Sequence, residues 1–363
     1  MPGVSRRIIP AALVCATLSA CASGGARVAP ASGATTIRAA DVRAVEYALA
    51  DDSMEGRNTG RPGSMKAARF IARQFADAHL EPAGDSGYFQ RVPMRDGGVR
   101  NGLRRARGLP SFADLDTVPA EQRLYGGNVV GVLPGSDPTL RNEVVLVDAH
   151  YDHLGVGAPE HGDSIYNGAD DDASGTTAVI TIAKAIAAGA HPKRTIVFLA
   201  TTGEETGLIG TRWYIAHPVR PLDKTVANLE IEMIGRPDSL AGGPGRAWLT
   251  GYDRSTMGDA LRARGIPIVA DPRPAQCFFE RSDNIAFAYL GIPAHTLSTF
   301  NLHADYHHAS DEADRLDYEH MAHVIASAVD AVRILADGPH PEWKGAGRPE
   351  PPAPGQRSAC RGG

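Results

Sequence analysis

Short apolar blocks alternate along the middle of the chain with stretches in which apolar residues recur every three or four positions. Residues 128–133, 143–148, 195–200, 226–234 and 291–297 are blocks of the first kind, rich in Val, Ile and Leu. Continuous apolar runs of that length predict strands buried on both faces. Residues 176–188, 207–216, 255–264 and 317–336 carry the longer period and predict helices. Earlier, Ala67, Phe70, Ile71, Phe75 and Ala78 mark one face of a helix over 64–80. Strands alternating with helices predict an α/β fold, a three-layer α/β/α arrangement around a mostly parallel central sheet. No internal repeat is visible, and no linker-like composition divides residues 38–336, which predicts a single domain. Residues 94–126 show neither period and gather Arg100, Arg104, Arg105 and Arg107. They read as a solvated loop, with a lid over a site as the alternative.

The two ends have a different character. Arg6 and Arg7 precede a short apolar run, residues 8–18, and then Leu18-Ser-Ala-Cys21. The run is too short to span a bilayer, and the pattern is that of an export signal. Leu18-Ser-Ala-Cys21 resembles the bacterial lipobox, which implies removal of residues 1–20 and acylation of Cys21. The expectation is an exported protein anchored by lipid in the cell envelope, at the outer membrane. Residues 21–37 then read as the lipidated Cys and a flexible tether. Residues 337–363 are Pro/Gly-rich and predict a disordered tail.

Composition narrows the function classes. The chain has 363 residues, 43% apolar and 22% charged, with a formal charge of −5. It has no basic stripe, so nucleic acid is excluded as the expected partner. With Cys15 in the signal and Cys21 acylated, Cys277 and Cys360 remain and are able to pair in an oxidising envelope. Two thiols do not make a Cys-rich metal site, so any metal must sit on His and carboxylates.

Those residues cluster in short motifs. Asn167-Gly-Ala-Asp-Asp-Asp-Ala-Ser-Gly175 packs three acids into a turn before a helix. Their mutual repulsion is destabilising, and a cation removes it; the plain alternative is a solvated turn with a helix cap. His150 and Asp152 follow one strand block, Glu204 and Glu205 another, and Glu232 ends a third. In open α/β sheets the carboxyl ends of strands form the ligand crevice. A metal pair needs a bridging carboxylate, and each ion needs a His and a further carboxylate. His150 with Glu232, and Glu205 with His307, supply the two sets. Glu204 remains as general base. Glu230 lies on the same strand face as Glu232 and is a fallback ligand.

With the motifs Met54-Glu-Gly-Arg57, Gly60-Arg-Pro-Gly63, His150-Tyr-Asp152, Gly203-Glu-Glu205, Glu232-Met-Ile-Gly235, Arg281-Ser-Asp283 and Asp305-Tyr-His307 in this order, residues 51–316 resemble the M28 family of zinc peptidases. The resemblance implies two Zn²⁺ per chain, one on His150, Asp171 and Glu232 and the other on Asp171, Glu205 and His307. It makes 38–336 a peptidase domain, Glu204 the general acid/base and Tyr306 an oxyanion donor. It also implies a cis peptide at Asp171–Asp172. Glu232 departs from the Asp of familiar aminopeptidase members, and His308 stands where Thr is common. Asp152, Asp172 and Asp311 are expected to support the ligands, with Asp152 accepting the free ring N–H of His150. Arg281 and Asp283 are candidates for the substrate side. His153 and His303 are read as structural. The implied activity is removal of N-terminal residues from peptides. Carboxypeptidase action, a glutaminyl-cyclase-like acyl transfer and a non-enzymatic metal-binding envelope protein remain as alternatives.

Overall fold

The computed structural model describes residues 1–4 and 36–353. The expected signal, Cys21, most of the tether and Cys360 lie outside the described residues. The chain divides into a short N-terminal unit, Met1–Ala34, and a body, Thr35–Gly363, which holds every element named below.

The body is built on a nine-stranded sheet. Its order is Glu81–Pro82, Gly127–Leu133, Thr195–Thr201, Val144–His150, Thr225–Ile231, Ala294–Ser298, Ala247–Leu249 and Ile268–Ala270, with Phe89–Arg91 also pairing Gly127–Leu133. The four central strands, from Thr195–Thr201 to Ala294–Ser298, run parallel. Antiparallel pairing begins outside them, at Gly127–Leu133 on one side and Ala247–Leu249 on the other.

Alternation of side chains sorts each central strand between two cores. Val145, Val147 and Ala149 join the helices Ala39–Leu49, Pro62–Asp77, Gly175–Ala187 and Tyr318–Asp337. Val144 and Leu146 face the other way, toward Tyr214 of Ile209–Ala216 and Ile285 and Phe287 of Asn284–Tyr289. Both faces are covered, which is why these strands read as continuous apolar blocks. The predicted helices over 64–80, 176–188, 207–216, 255–264 and 317–336 are observed as Pro62–Asp77, Gly175–Ala187, Ile209–Ala216, Met257–Ala263 and Tyr318–Asp337.

Register places the chemistry. Thr201 pairs with His150, and Glu230 pairs with Asp148. The residues just past these strands, Glu204, Glu205 and Glu232, therefore emerge at one edge beside His150.

Two segments differ from expectation. Residues 94–126 are not an irregular loop. Met94–Arg100, Leu103–Gly108 and Arg123–Leu124 form a three-stranded sheet, and Phe112–Thr117 is a short helix. Its apolar anchor is small, Val92, Met94, Ala106, Leu124 and Ile209, and polar contacts such as Arg61 to Asp96 at 2.7 Å help hold it. So few buried positions leave no period to read. Residues 338–353, read as a loose tail, contact the body: Trp343 Nε1 donates to the Gly291 carbonyl at 2.8 Å, and the Glu342 amide donates to Thr256 Oγ1 at 2.9 Å. Cys277 is disulfide-bonded, and the other cysteines lie outside the described residues. Among the described residues no helix is long and apolar enough to cross a membrane.

Candidate metal centre

Asp171 sits between two histidine–carboxylate clusters. His150 Nε2 is 3.3 Å from Asp171 Oδ1 and 3.9 Å from Glu232 Oε1. On the other side, His307 Nε2 is 3.1 Å from Asp171 Oδ2 and 3.2 Å from Glu205 Oε1. The sequence-predicted ligands thus converge. Glu204 lines the same small cavity, about 40 Å³, as Asp171 and Glu232.

The acidic turn is held by backbone amides. Asp311 accepts the Asp170 and Asp171 amides at 3.1 Å each. Asp172 Oδ1 accepts the amides of Gly175 and Met233 at 3.0 Å, tying the turn to the residue after Glu232. Asp170 Oδ1 accepts the Gly235 amide at 2.7 Å, and its Oδ2 lies 2.9 Å from His303 Nε2. The Asp171–Asp172 peptide is cis. Asp170 and Asp172 Oδ1 are engaged by amides in folding the turn, and Asp171 is the acid that faces both clusters.

Several supporting roles differ from expectation. The carbonyl of Asp152, not its carboxylate, takes the His150 Nδ1 proton, at 3.0 Å. This still fixes the tautomer and leaves Nε2 free. The Asp152 carboxylate accepts instead from the Gly203 amide at 2.7 Å, the Glu204 amide at 3.2 Å and Thr59 Oγ1 at 2.8 Å. It shapes the loop that carries Glu204 and Glu205. Asp311 gives its support at the acidic turn, through the Asp170 and Asp171 amides. Asp283 is not on the substrate side. It is fully buried and accepts from the hydroxyls of Thr201 and Thr211. Glu230, the fallback ligand, is also buried and already accepts from Ser282 Oγ, the Asp283 and Asn284 amides and Thr296 Oγ1. No lone pair of it is left to aim at a cation.

Arg281 does line the cavity, with its guanidinium 5.0 Å from the Phe278 ring centre and Nη2 3.5 Å from Tyr306 Oη. Tyr306 stacks on His307 with ring centres 3.9 Å apart. His308 turns away to Glu160 at 3.0 Å, and Glu160 also accepts the Ala309 amide at 3.0 Å. Glu160 belongs to a hairpin, Gly155–Glu160 with Asp163–Tyr166, that thereby holds the His307 loop.

Two residues stand apart from the sequence reading, which gives Arg57 no role and treats His153 as structural. Arg57 is fully buried and donates to the carbonyls of Tyr151, Leu49, Asn167 and Gly168 at 2.6–3.0 Å. It clamps the acidic turn to the strand end that carries His150 and sets a positive charge beneath the carboxylates. Its signal was the motif Met54-Glu-Gly-Arg57, to which no role was attached. The other is His153. Its Nδ1 lies 3.0 Å from Glu205 Oε1 and 3.8 Å from Asp171 Oδ2.

The electrostatics follow from burial and crowding. Burial acts against a charged His150, but Asp171 and Glu232 outweigh it and hold the ring well above its usual 6.5. Burial likewise opposes ionisation of Glu205, yet His153 and His307 overcome it and bring the carboxyl down to about 2. Burial raises Glu204 well above 4.5; His150 opposes this, and Glu205, Asp283 and Glu232 reinforce it.

The donor set fits zinc, which takes imidazole nitrogens and carboxylate oxygens. Buried polar atoms are normally hydrogen-bonded. Here His150 Nε2, both ring nitrogens of His153 and Glu205 Oε1 are buried with no hydrogen-bond partner, and all but His153 Nε2 face the two clusters.

Fold and site together define an α/β/α protein in which two histidine–carboxylate clusters share Asp171 beside the carboxyl ends of the parallel strands. Residues 128–332 match peptidase family M28, and the chain belongs to that family. Among curated relatives, the vacuolar membrane protease of Tuber melanosporum is 28% identical over 69% of this chain and 25% of its own length. The vacuolar membrane protease of Neosartorya fischeri is 30% identical over 51% of this chain and 18% of its own. The chain thus spans a quarter or less of these relatives. Among solved structures, BSAP, a zinc aminopeptidase from Bacillus subtilis, superposes with a TM-score of 0.60 at 15% identity, covering 84% of this chain and 96% of that one. The glutaminyl cyclase of Porphyromonas gingivalis shares the fold with a TM-score of 0.55 at 12% identity, covering 82% and 98%.

Proposed function

We propose that this chain is a zinc-dependent peptidase that removes residues from the N-termini of peptides, with two ions per chain. The observation that carries the reading is Asp171 standing between His150–Glu232 and His307–Glu205, with Glu204 lining the same cavity. Each cluster supplies a histidine and a carboxylate besides the shared one. Zinc, when bound, polarises a carbonyl and acidifies water.

The residues do the rest. Glu204, raised by burial and neighbouring acids, takes a proton from the attacking water and returns it to the leaving amine. Tyr306 presents a phenol on the cavity wall, where a developing oxyanion is able to accept its hydrogen bond. Burial and the nearby Asp171 and Glu205 keep that phenol protonated. Trp248, Phe278 and Phe300 line the cavity as well, so one side chain has an apolar place beside the clusters. Glu204 and Glu232 offer carboxylates to a free terminal ammonium. A C-terminal carboxylate would instead need a positive clamp, and Arg281 is the cavity's arginine.

The test compares one unblocked peptide with its N-acetylated twin on zinc-loaded protein, with products identified by mass spectrometry. Stepwise loss from the free N-terminus, with the acetylated peptide spared, is expected. Loss from the C-terminus transfers the specificity to Arg281, and cyclisation of N-terminal glutamine without hydrolysis overturns the peptidase reading. The Leu18-Ser-Ala-Cys21 motif supports a lipid anchor on Cys21 and a place at the outer membrane. Membrane-fraction protein that becomes unacylated in Cys21→Ser is the expected result; an unmodified Cys21 in the mature wild type overturns it.

A further inference from the structure

We infer that His153 is a direct ligand of the cation held by Asp171, Glu205 and His307, so that one ion of the pair has two imidazoles and the other has one. The inference rests on the two-ion reading above and deepens it.

A histidine in a protein core normally satisfies both ring nitrogens, one donating and one accepting. His153 is 1% exposed and satisfies neither. Its Nδ1 is 3.0 Å from Glu205 Oε1, but the two atoms do not meet hydrogen-bond geometry, and Glu205 Oε1 is itself without a hydrogen bond. Close approach without a hydrogen bond is what two ligands of one ion show. Zinc–nitrogen and zinc–oxygen bonds of ~2.0–2.2 Å put neighbouring ligand atoms roughly 3–3.5 Å apart. On this side of Asp171 three distances fall in that range, 3.0 Å from His153 Nδ1 to Glu205, 3.2 Å from His307 Nε2 to Glu205 and 3.1 Å from His307 Nε2 to Asp171, and His153 Nδ1 is 3.8 Å from Asp171 Oδ2. His153, Asp171 and Glu205 each present a ligand atom within 4.8 Å of the others.

The backbone leaves room for this ring. A Cβ on Gly168 would meet His153 Cγ and Cδ2 at 2.3 Å, and Gly168 itself has φ +56°, so no other side chain fits there. The rings of His153 and His307 meet edge to face with centres 5.7 Å apart, and each keeps one nitrogen toward the Asp171–Glu205 pair. A structural histidine would account for the packing, but not for an unpartnered Nδ1 lying 3.0 Å from an unpartnered carboxylate oxygen.

The nitrogen used makes the test discrete. His150 gives its Nδ1 proton to the Asp152 carbonyl, so it ligates through Nε2, and His307 approaches through Nε2. His153 approaches through Nδ1. Long-range proton–nitrogen correlation spectra of histidine-labelled, zinc-loaded full chain separate the two modes, with His153→Gln as the assignment control. Three zinc-bound histidines, one of them through Nδ1 and lost in His153→Gln, are expected. Competition titrations should show that His153→Gln weakens one of two binding events by more than the ~10–100-fold that loss of an outer-shell partner costs. Two bound histidines, both through Nε2, overturn the assignment and leave the peptidase reading standing. Elemental analysis giving fewer than two metals per chain overturns both. If the variant fails to fold, the wild-type count still decides.

Discussion

The two clusters that share Asp171 are built on different foundations. His150 closes a central strand, is buried, and has its tautomer set by the backbone carbonyl of Asp152, two residues on. Glu232 follows the neighbouring strand directly. His307 belongs to a loop, has φ +63° and leaves 38% of its side chain exposed. Glu205 also sits on a loop, shaped by Asp152 below and by Arg105, whose Nη1 donates to the Glu205 carbonyl at 2.8 Å. Strand ends locked into a parallel sheet lose little freedom when a ligand binds. Loop residues lose more, and need either extra clamps or extra donors to reach the same affinity. The clamps are Glu160 on the His307 loop and Asp152 on the Glu205 loop; the extra donor is His153.

The largest expected effect erases the difference. Asp171→Ala removes the carboxylate common to both clusters, and both ions should be lost together with all measurable turnover. Elemental analysis after dialysis reads this, and retention of one full equivalent would show that the clusters are independent. Next comes Glu204→Gln, which leaves both ligand sets intact. Turnover should fall by roughly 10²–10⁴ with zinc content unchanged, as loss of a general base does. Near-normal turnover would mean the base lies elsewhere. His150→Ala against His307→Ala then sharpens the comparison. His150 has no nearby substitute, whereas His153 stands behind His307. Chelator competition should show a loss of ~100-fold or more in the first and about tenfold in the second, each tenfold being ~1.4 kcal/mol. Equal losses would remove the asymmetry.

The smallest effect probes the scaffold apart from the site. His295, on the strand Ala294–Ser298, donates from Nδ1 to the Thr250 carbonyl and accepts from Ser255 Oγ at Nε2, both at 2.7 Å. Burial first, with Arg254 and Lys344 nearby, lowers the ring from 6.5 to about 4, against the Thr250 hydrogen bond. Between these values the unfolded chain binds more protons, so stability rises with pH. The contribution, ~3 kcal/mol at 1.36 kcal/mol per unit, is complete above 6.5 and is lost as pH falls through 4. Urea midpoints of zinc-loaded wild type and His295→Gln should differ in their pH slope across that window. Parallel curves would remove His295 from the acid response.

Local order along the chain decided a good deal of this. Apolar runs of strand length, interrupted by helical periods, specify a covered parallel sheet, because both faces of such strands must be buried. A ligand placed immediately after such a run has one place to go, so His150, Glu205 and Glu232 were legible as a group. The acidic turn was legible because three adjacent carboxylates carry a repulsion that something must relieve. What the remaining polar residues do depends on which donors tertiary folding brings to them. Asp283 and Glu230 carry the same chemistry as the ligands, but hydroxyls and helix-start amides reach them first and bury them. Arg57 gains its role from four carbonyls on three distant stretches. His153 and His303 were indistinguishable as lone histidines; packing gives His303 Nε2 an aspartate and leaves His153 Nδ1 without a hydrogen bond beside Glu205. A carboxylate or imidazole has the same intrinsic chemistry wherever it stands, and only the three-dimensional supply of hydrogen-bond partners separates a structural group from one still free to hold a cation.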